Sequence, residues 1–422
     1  MEASSDRRVP VESYVLLGLA SVAYFLFTFS WFSVPAYLAP IIEEIGLTGT
    51  EAGVVTGAVQ LSYIPLALLS GLVIDRLGSR ASLAVGVAII GAAHVARGFA
   101  DGFLAILVPT LLLGVGGTSV TFGLPKLVSE LFPADRSGSM SSVYMVGATL
   151  GTATVFGIAR PVLGPLAGGW RPFFIVTGLF VVGFALLWAV VSWVFWDRVE
   201  EFSGDDDDQS FALASIREDV VSVFTHRGLL LLVVIGTMRL FVTHGFSAWL
   251  PTILESRGLS VGLAGTITSL FVVVRIAGIV SIPVVSDRLS TRRLPIIGCG
   301  AAGALGTAGL LAGSGIVVLA ASLVLVGVFM IGGLSPLVRA IPIELDGIGP
   351  RLTAVATGLI FAVGEIGGFM GPFLIGALRD LTGSFAPGIG LLAAGGLVTV
   401  VAGYLMEEPR GSTESPSGPT TD

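Results

Sequence analysis

Twelve stretches of mostly apolar residues divide this chain almost from end to end, and no other feature restricts its fold so severely. A helix rising about 1.5 Å per residue needs about 20 residues to cross roughly 30 Å of hydrocarbon. By that measure spans run approximately over 13–39, 51–74, 81–100, 103–124, 140–163, 172–196, 228–250, 261–285, 295–313, 315–338, 353–377 and 388–406. With 54% hydrophobic residues, only 12% charged and a mean hydropathy of +0.93, the chain lies far outside the range of soluble globular proteins. Its 58 glycines fit membrane helices that must approach closely where no hydrophobic effect drives them together. The first run is too long for a signal-peptide core and is followed by no small-residue cleavage site, so it is expected to be a retained helix.

The breaks between spans set orientation. With a cytoplasmic N-terminus, fifteen basic residues fall on that side and about five (Arg97, Arg160, Arg171, Arg257, Arg379) on the other, so both termini are expected in the cytoplasm. The longest polar segment, 197–227, carries Asp205 to Asp208 and reads as a cytoplasmic linker between a six-span bundle at 1–196 and another at 228–406. Apolar residues at near-helical spacing between Phe211 and Phe224 predict a helix lying along the interface. The four aspartates read as solvated rather than as a metal site, and residues 407–422 have the composition of disorder.

One polar break reads G-L-V-I-D-R-L-G-S-R-A-S-L from Gly71 to Leu83, and a degenerate copy runs from Pro283 through Asp287, Arg288, Arg292 and Arg293. The two aspartates are 287 − 75 = 212 positions apart in a chain of 422, as expected of one module written twice. Glu130 to Arg136, before span five, and Glu344 to Arg351, before span eleven, are a second echo. Two repeats rocking about a site at the midplane are the general logic of secondary transporters.

The pattern G-x-x-x-D-R-x-G-x-R, formed by Gly71, Asp75, Arg76, Gly78 and Arg80, resembles the loop between helices two and three of the major facilitator superfamily of secondary transporters. That resemblance implies an all-α polytopic fold, twelve transmembrane helices in two pseudo-symmetric six-helix bundles. In the family the aspartate pairs with the cytoplasmic end of span eleven and helps hold the outward-facing state. Carried over, Asp75, Arg76 and Arg80 form a gating latch, with Asp287, Arg288 and Arg292 as a weaker mirror; the competing reading is that these arginines only fix topology. Gly71 and Gly78 are read as allowing close backbone contact and a tight turn.

Span eleven continues as G-E-I-G-G-F-M-G-P-F-L-I-G-A-L-R-D-L-T-G-S-F, which resembles the C-terminal region of the cyanate, nitrate and organic-anion branches. Span two lacks the arginine of nitrate carriers. Span four places Thr110 where proton-coupled members often carry an arginine, and Arg160 replaces a glycine of the antiporter-like motif around span five. One lysine, Lys126, against twenty-one arginines, with a net charge of −7, gives an acidic, lysine-poor surface similar to that of salt-adapted archaea; a GC-rich genome would also favour Arg over Lys.

Three ionisable residues fall near mid-span: Arg239, Arg275 and Glu365, about 16, 21 and 18 Å from the starts of their spans. A charge at that depth costs about 3 kcal/mol on insertion scales, so each should face a bundle interior or a watery cavity and find a partner. Arg239 or Arg275 is a candidate for binding an anionic group of the substrate, because a guanidinium offers a planar fork for oxyanions. Glu365 then serves as a proton site or as the counter-charge that substrate displaces; the structural alternative is that it neutralises an arginine to lock two helices. His244 is read as a proton relay nearer the outer mouth, or as structural. The first half offers only neutral groups at similar depth: Tyr24, Phe25, Thr28, Trp31, Gln60, Tyr63, Thr118, Thr121 and Tyr144, an amphipathic wall suited to a small solute.

No G-x-x-x-x-G-K-[ST] loop is present, and Lys126, read as lying in a loop, offers no mid-membrane amine. Three scattered histidines and the lone Cys299 make no metal site or disulfide. Neither a catalytic triad nor a basic nucleic-acid surface occurs. The chain is therefore expected to be no enzyme and to carry no cofactor. It is expected to be a monomeric secondary transporter of the plasma membrane, moving a small organic or inorganic anion, with H+ or Na+ as a coupling ion. The alternatives are an exporter of amphipathic compounds with the same fold and a membrane sensor that moves nothing.

Overall fold

The computed structural model describes residues 9–199, 220–313, 315–345 and 348–408. Most of the expected linker helix, Asp205 to Asp208 and the tail from 409 lie outside them. The described residues hold helices and no strand. In chain order these are α1 (Val11–Ala36), α2 (Leu38–Ile45), α3 (Gly49–Leu77), α4 (Ser79–Arg97), α5 (Phe103–Leu131), α6 (Ala134–Thr154), the π-helix π1 (Val155–Leu163), α7 (Gly164–Ala167) and α8 (Trp170–Trp196). After the linker come α9 (Arg227–Ser256), α10 (Val261–Arg288), α11 (Arg293–Ala312), α12 (Ile316–Val324), the π-helix π2 (Leu325–Gly333), α13 (Leu334–Glu344), α14 (Pro350–Thr382) and α15 (Ala386–Leu405).

Eleven of the continuous helical stretches are long and apolar enough to cross a membrane, and α3, bent by 74° between Leu66 and Leu69, makes the twelfth when counted as one span. Several helices outrun their apolar stretches. α5 continues to Leu131, so Lys126 lies in its last turns rather than in a loop, and α13 continues six residues past Val338 to Glu344. One helix start is fixed by a side-chain cap. Thr48 and Glu51 form a reciprocal capping box that opens α3, with Glu51 N–H donating to Thr48 Oγ1 at 3.1 Å and Thr48 N–H to Glu51 Oε2 at 2.9 Å.

Two compact units result, Met1–Gln209 with Leu250–Ser269, and Ser210–Trp249 with Leu270–Asp422. The first therefore includes the last turns of α9 and the start of α10. Its packing centres on α4 against α5 and α8, α1 against α6, and α3 against α5. In the second unit α11 packs against α15 and π2, and α14 against α15.

The repeat seen in the sequence is visible in the backbone. Gly78, between α3 and α4, has φ 80°, and Ser290, at the same 212-residue offset as the two aspartates, has φ 48° in the turn between α10 and α11. Only Gly adopts that left-handed region without steric cost, and Ser290 is the one described non-glycine residue with positive φ. Gly71, by contrast, does not serve a close contact: a Cβ there would meet nothing within 4 Å.

Candidate substrate site

The second unit gathers its charges at the level where α9, α10 and α14 pass the middle of their length. Arg239 and His244 project from α9, Arg275 from α10 and Glu365 from α14. Glu365 is 3% exposed and His244 7%. Arg239 lies within electrostatic reach of Glu365, His244 and Arg275, and also of Arg339 on α13. The four residues singled out in this half are thus brought together, His244 included.

Arg275 is the most firmly placed of them. Its guanidinium carbon sits 4.5 Å from the centroid of the Phe271 ring, one helical turn away, and Nη2 donates to Ser247 Oγ at 3.3 Å. A cation over an aromatic face is held without neutralisation. The backbone beneath it is clamped by π2: a Cβ on Gly332 would overlap the carbonyl of Arg275, and one on Gly278 would overlap that of Val328. The π-helix brings these carbonyls to the glycines by carrying an extra residue per turn, a distortion common at functional sites. Nε of Arg239, Nε of Arg275 and Oε2 of Glu365 are buried with no hydrogen-bond partner among the described residues. Buried groups of this kind are normally satisfied, so two guanidiniums and one carboxylate with unused capacity can receive a polar ligand.

The first unit holds a cluster of aromatic rings of its own. Tyr24 stacks on Tyr144 at 5.9 Å between centroids, Trp31 lies 5.4 Å from Phe27 and 6.1 Å from Tyr63, and Tyr63 shares a 2.8 Å hydrogen bond with Thr121. Gln60 is buried nearby on α3 with its carbonyl oxygen unpartnered among the described residues. Thr28 and Thr118 instead bond backbone carbonyls, which makes them packing groups.

This unit is not neutral, contrary to the expectation from sequence. Arg97, counted among residues of the outer loops, is 0% exposed at the end of α4. Its Nη1 donates to the Ser30 carbonyl at 2.7 Å and its Nε to Thr110 Oγ1 at 3.0 Å. The guanidinium therefore stands against Thr110, the position where the resemblance led one to look for an arginine. His94, one turn earlier on α4, is also fully buried and meets Thr177 at 3.1 Å. Span three as read from sequence already contained Arg97; only the direction of its side chain was hidden.

At the loops bearing the D-R pattern, Asp75 accepts from Lys126 Nζ at 2.5 Å, within its own unit. The carboxylate is 66% exposed. Arg80 lies over the Trp196 ring at 4.9 Å, while Arg76 is exposed at the end of α3. The mirror loop is the more tightly built. Arg292 gives a bidentate pair to Glu344, Nε at 2.8 Å and Nη2 at 2.7 Å, and Nη1 donates to Asp287 at 2.5 Å and Ser286 at 2.9 Å. The Glu344 bond and, after it, the Asp287 bond hold the Arg292 pKa above the usual arginine range. Ser79, the counterpart of Thr291, donates to Glu130, so both acidic echoes close the loop of their own repeat. Asp287 and Arg288 are exposed.

Near the other ends of the first unit's helices, Arg160 on π1 donates to the Ala36 carbonyl at 3.0 Å, lies over the Tyr37 ring at 5.2 Å, and meets Glu255 at 3.7 Å. Glu44 on α2 accepts from Trp170 Nε1 at 2.6 Å and Arg171 Nε at 2.5 Å.

Twelve membrane-crossing helices in two units, with guanidinium groups and a carboxylate held inside one of them, define a polytopic solute transporter. The chain belongs to the major facilitator superfamily, whose model matches residues 20–372. It is 27% identical over 372 residues to an uncharacterized transporter of Bacillus subtilis, YycB, covering 88% of each chain. It is 26% identical to a putative tartrate transporter of Agrobacterium vitis, covering 85% of this chain and 86% of that one. Among solved structures, a bacterial homolog to the human lysosomal transporter Spinster, inward-facing and unoccupied, superposes with a TM-score of 0.70 at 18% identity, covering 94% of this chain and 96% of that one.

Proposed function

We propose that the protein is a secondary active transporter of a small anion, moved by alternating access, whose charged group is held by Arg239 and Arg275. The observation that carries this reading is the imbalance inside the second unit: two guanidiniums face one carboxylate, and each guanidinium has a buried nitrogen without a partner among the described residues. An oxyanion supplies the missing acceptors and the missing negative charge together, and arginine's planar fork favours carboxylate-like groups. The relative named as a putative tartrate transporter fits such a substrate. Glu365 is the counter-charge that the anion displaces and the group able to hold a proton, with H+ or Na+ as coupling ion. His244, within reach of both arginines, adds a donor to the same site. The carrier works as a monomer in the plasma membrane with both termini cytoplasmic, and the Asp75 and Asp287 loops form its gating ends.

Uptake into proteoliposomes of small anions, cations and amphipathic compounds, with and without a proton or sodium gradient, tests this. Gradient-stimulated accumulation of an anion, lost in Arg239→Gln and Arg275→Gln, is the expected result. Flux only of amphipathic compounds, indifferent to both substitutions, would establish an exporter, and binding without flux a sensor.

A further inference from the structure

Arg339, one residue past span ten as read from the sequence, lies on α13, where its exposed side chain helps to line a small cavity of about 50 Å³. Arg239, Ser335, Arg339, Thr357 and Phe361 are among the residues that line this cavity, and among the described residues no carboxylate does. Measured along their helices, Arg339 lies about 8 Å from Glu344, the loop-side end of α13, and Thr357 about 10 Å from the start of α14. Arg239 is about 18 Å from the start of α9, and Glu365 about 22 Å from that of α14. All three starting points are at the end of the unit that carries Arg292. Ser335 and Arg339, four residues apart, occupy one face of α13. The cavity thus runs from an exposed guanidinium, past two hydroxyls, to the buried one. Arg339 and Arg239 repel each other across it.

From this geometry we infer that Arg339, with Ser335 and Thr357, forms a second anion site, which the transported anion occupies before or after its stay at Arg239. The inference rests on the reading of the substrate as an anion. Two like charges sharing a cavity repel each other while it is unfilled, so each adds to the pull of the other on an anion, and an anion between them relieves the repulsion. A low-dielectric cleft of one sign concentrates ions of the other. Arg339 is a positioning and capture residue, whereas Arg239 and Arg275 define the main site.

The test uses the full-length purified protein. Its one cysteine, Cys299, is 1% exposed, so a Ser335→Cys variant reports on the cavity alone, with the parent protein as control. Modification by a sulfonate-bearing methanethiosulfonate is expected to be about tenfold faster than by a trimethylammonium-bearing one. Adding Arg339→Gln should bring the ratio to near one, and Arg339→Lys should keep it. Equal rates in Ser335→Cys itself, a preference unchanged by Arg339→Gln, or no modification at all would overturn the site. An anion identified by uptake should also slow the modification; if it does not while the charge preference stands, the anion does not pass this way. An uptake panel with no transported anion would instead defeat the transport reading, leaving the electrostatic result to stand by itself.

Discussion

Arg97 shows how much one side chain can decide inside a membrane. An arginine in the last turn of a spanning helix ordinarily extends its stem toward the interface and leaves its charge in water. Here it turns inward and ties α4 to α1 and α5 through the Ser30 carbonyl and the Thr110 hydroxyl. Replacing it leaves both groups without their donor in a dry interior. Arg97→Gln should therefore lower stability by about 3 kcal/mol, and Arg97→Lys should recover little, because one ammonium cannot reproduce the fork. Cys299 supplies the measurement: a thiol-reactive fluorophore reads its exposure as detergent-solubilised protein is heated, and an unchanged midpoint in Arg97→Gln would show that the bonds contribute nothing. The mid-span residues Arg239, Arg275 and Glu365 were legible in the sequence because an ionisable group is costly at that depth wherever it points. Arg97 and Arg339 were not, because at a helix end inward and outward rotamers are both affordable, and only packing chooses between them.

The turns between helices carry the repeat more clearly than the helices do. Gly78 and Ser290 occupy the same place in their repeats, both left-handed, yet one has no Cβ and the other does. Ser290→Gly should therefore stabilise the protein by about 1 kcal/mol, and Gly78→Ala should destabilise it by a similar amount. Opposite signs in the same thermal assay are the expected result; equal signs would mean that φ is not what matters at these turns. On α2, the Arg171 hydrogen bond, with help from Trp170, holds the Glu44 carboxyl below its usual 4.5. A carboxylate whose pKa is lowered on folding stabilises above its unfolded value, and that contribution disappears as pH falls through the lowered one. The pair is half exposed, so its worth is under about 1 kcal/mol. Glu44→Gln should accordingly lower the melting midpoint slightly at neutral pH, with the difference closing below about pH 4.5; a difference constant down to acid pH would rule out the ionised pair as its source. Helix existence was legible from the apolar runs, because those runs measure the bilayer. Helix ends were not, since α5 and α13 continue past their apolar runs, and that is how Lys126 and Arg339 come to lie on helices.

At the scale of the whole molecule, chain order and compact units do not coincide. The sequence suggests two halves divided at the linker, but Leu250–Ser269 packs with the first unit although it follows the linker by some tens of residues. Within that unit Glu255 meets Arg160, and a Cβ on Gly265 would overlap the carbonyl of Phe156 on π1. The first unit is thus completed only when the second half of the chain has been made. A fragment ending at Gln209 should be less stable and more protease-sensitive alone than when co-expressed with the fragment beginning at Ser210. Enlarging Gly265 to Val in the second fragment should weaken that rescue, because the side chain has nowhere to go but into the π-helix backbone, whereas Gly262→Ala, whose Cβ would meet nothing within 4 Å, should leave it intact. If the first fragment proves as stable alone as in the pair, the segment 250–269 adds nothing to the first unit's integrity, and its contacts there serve only the working cycle of the carrier.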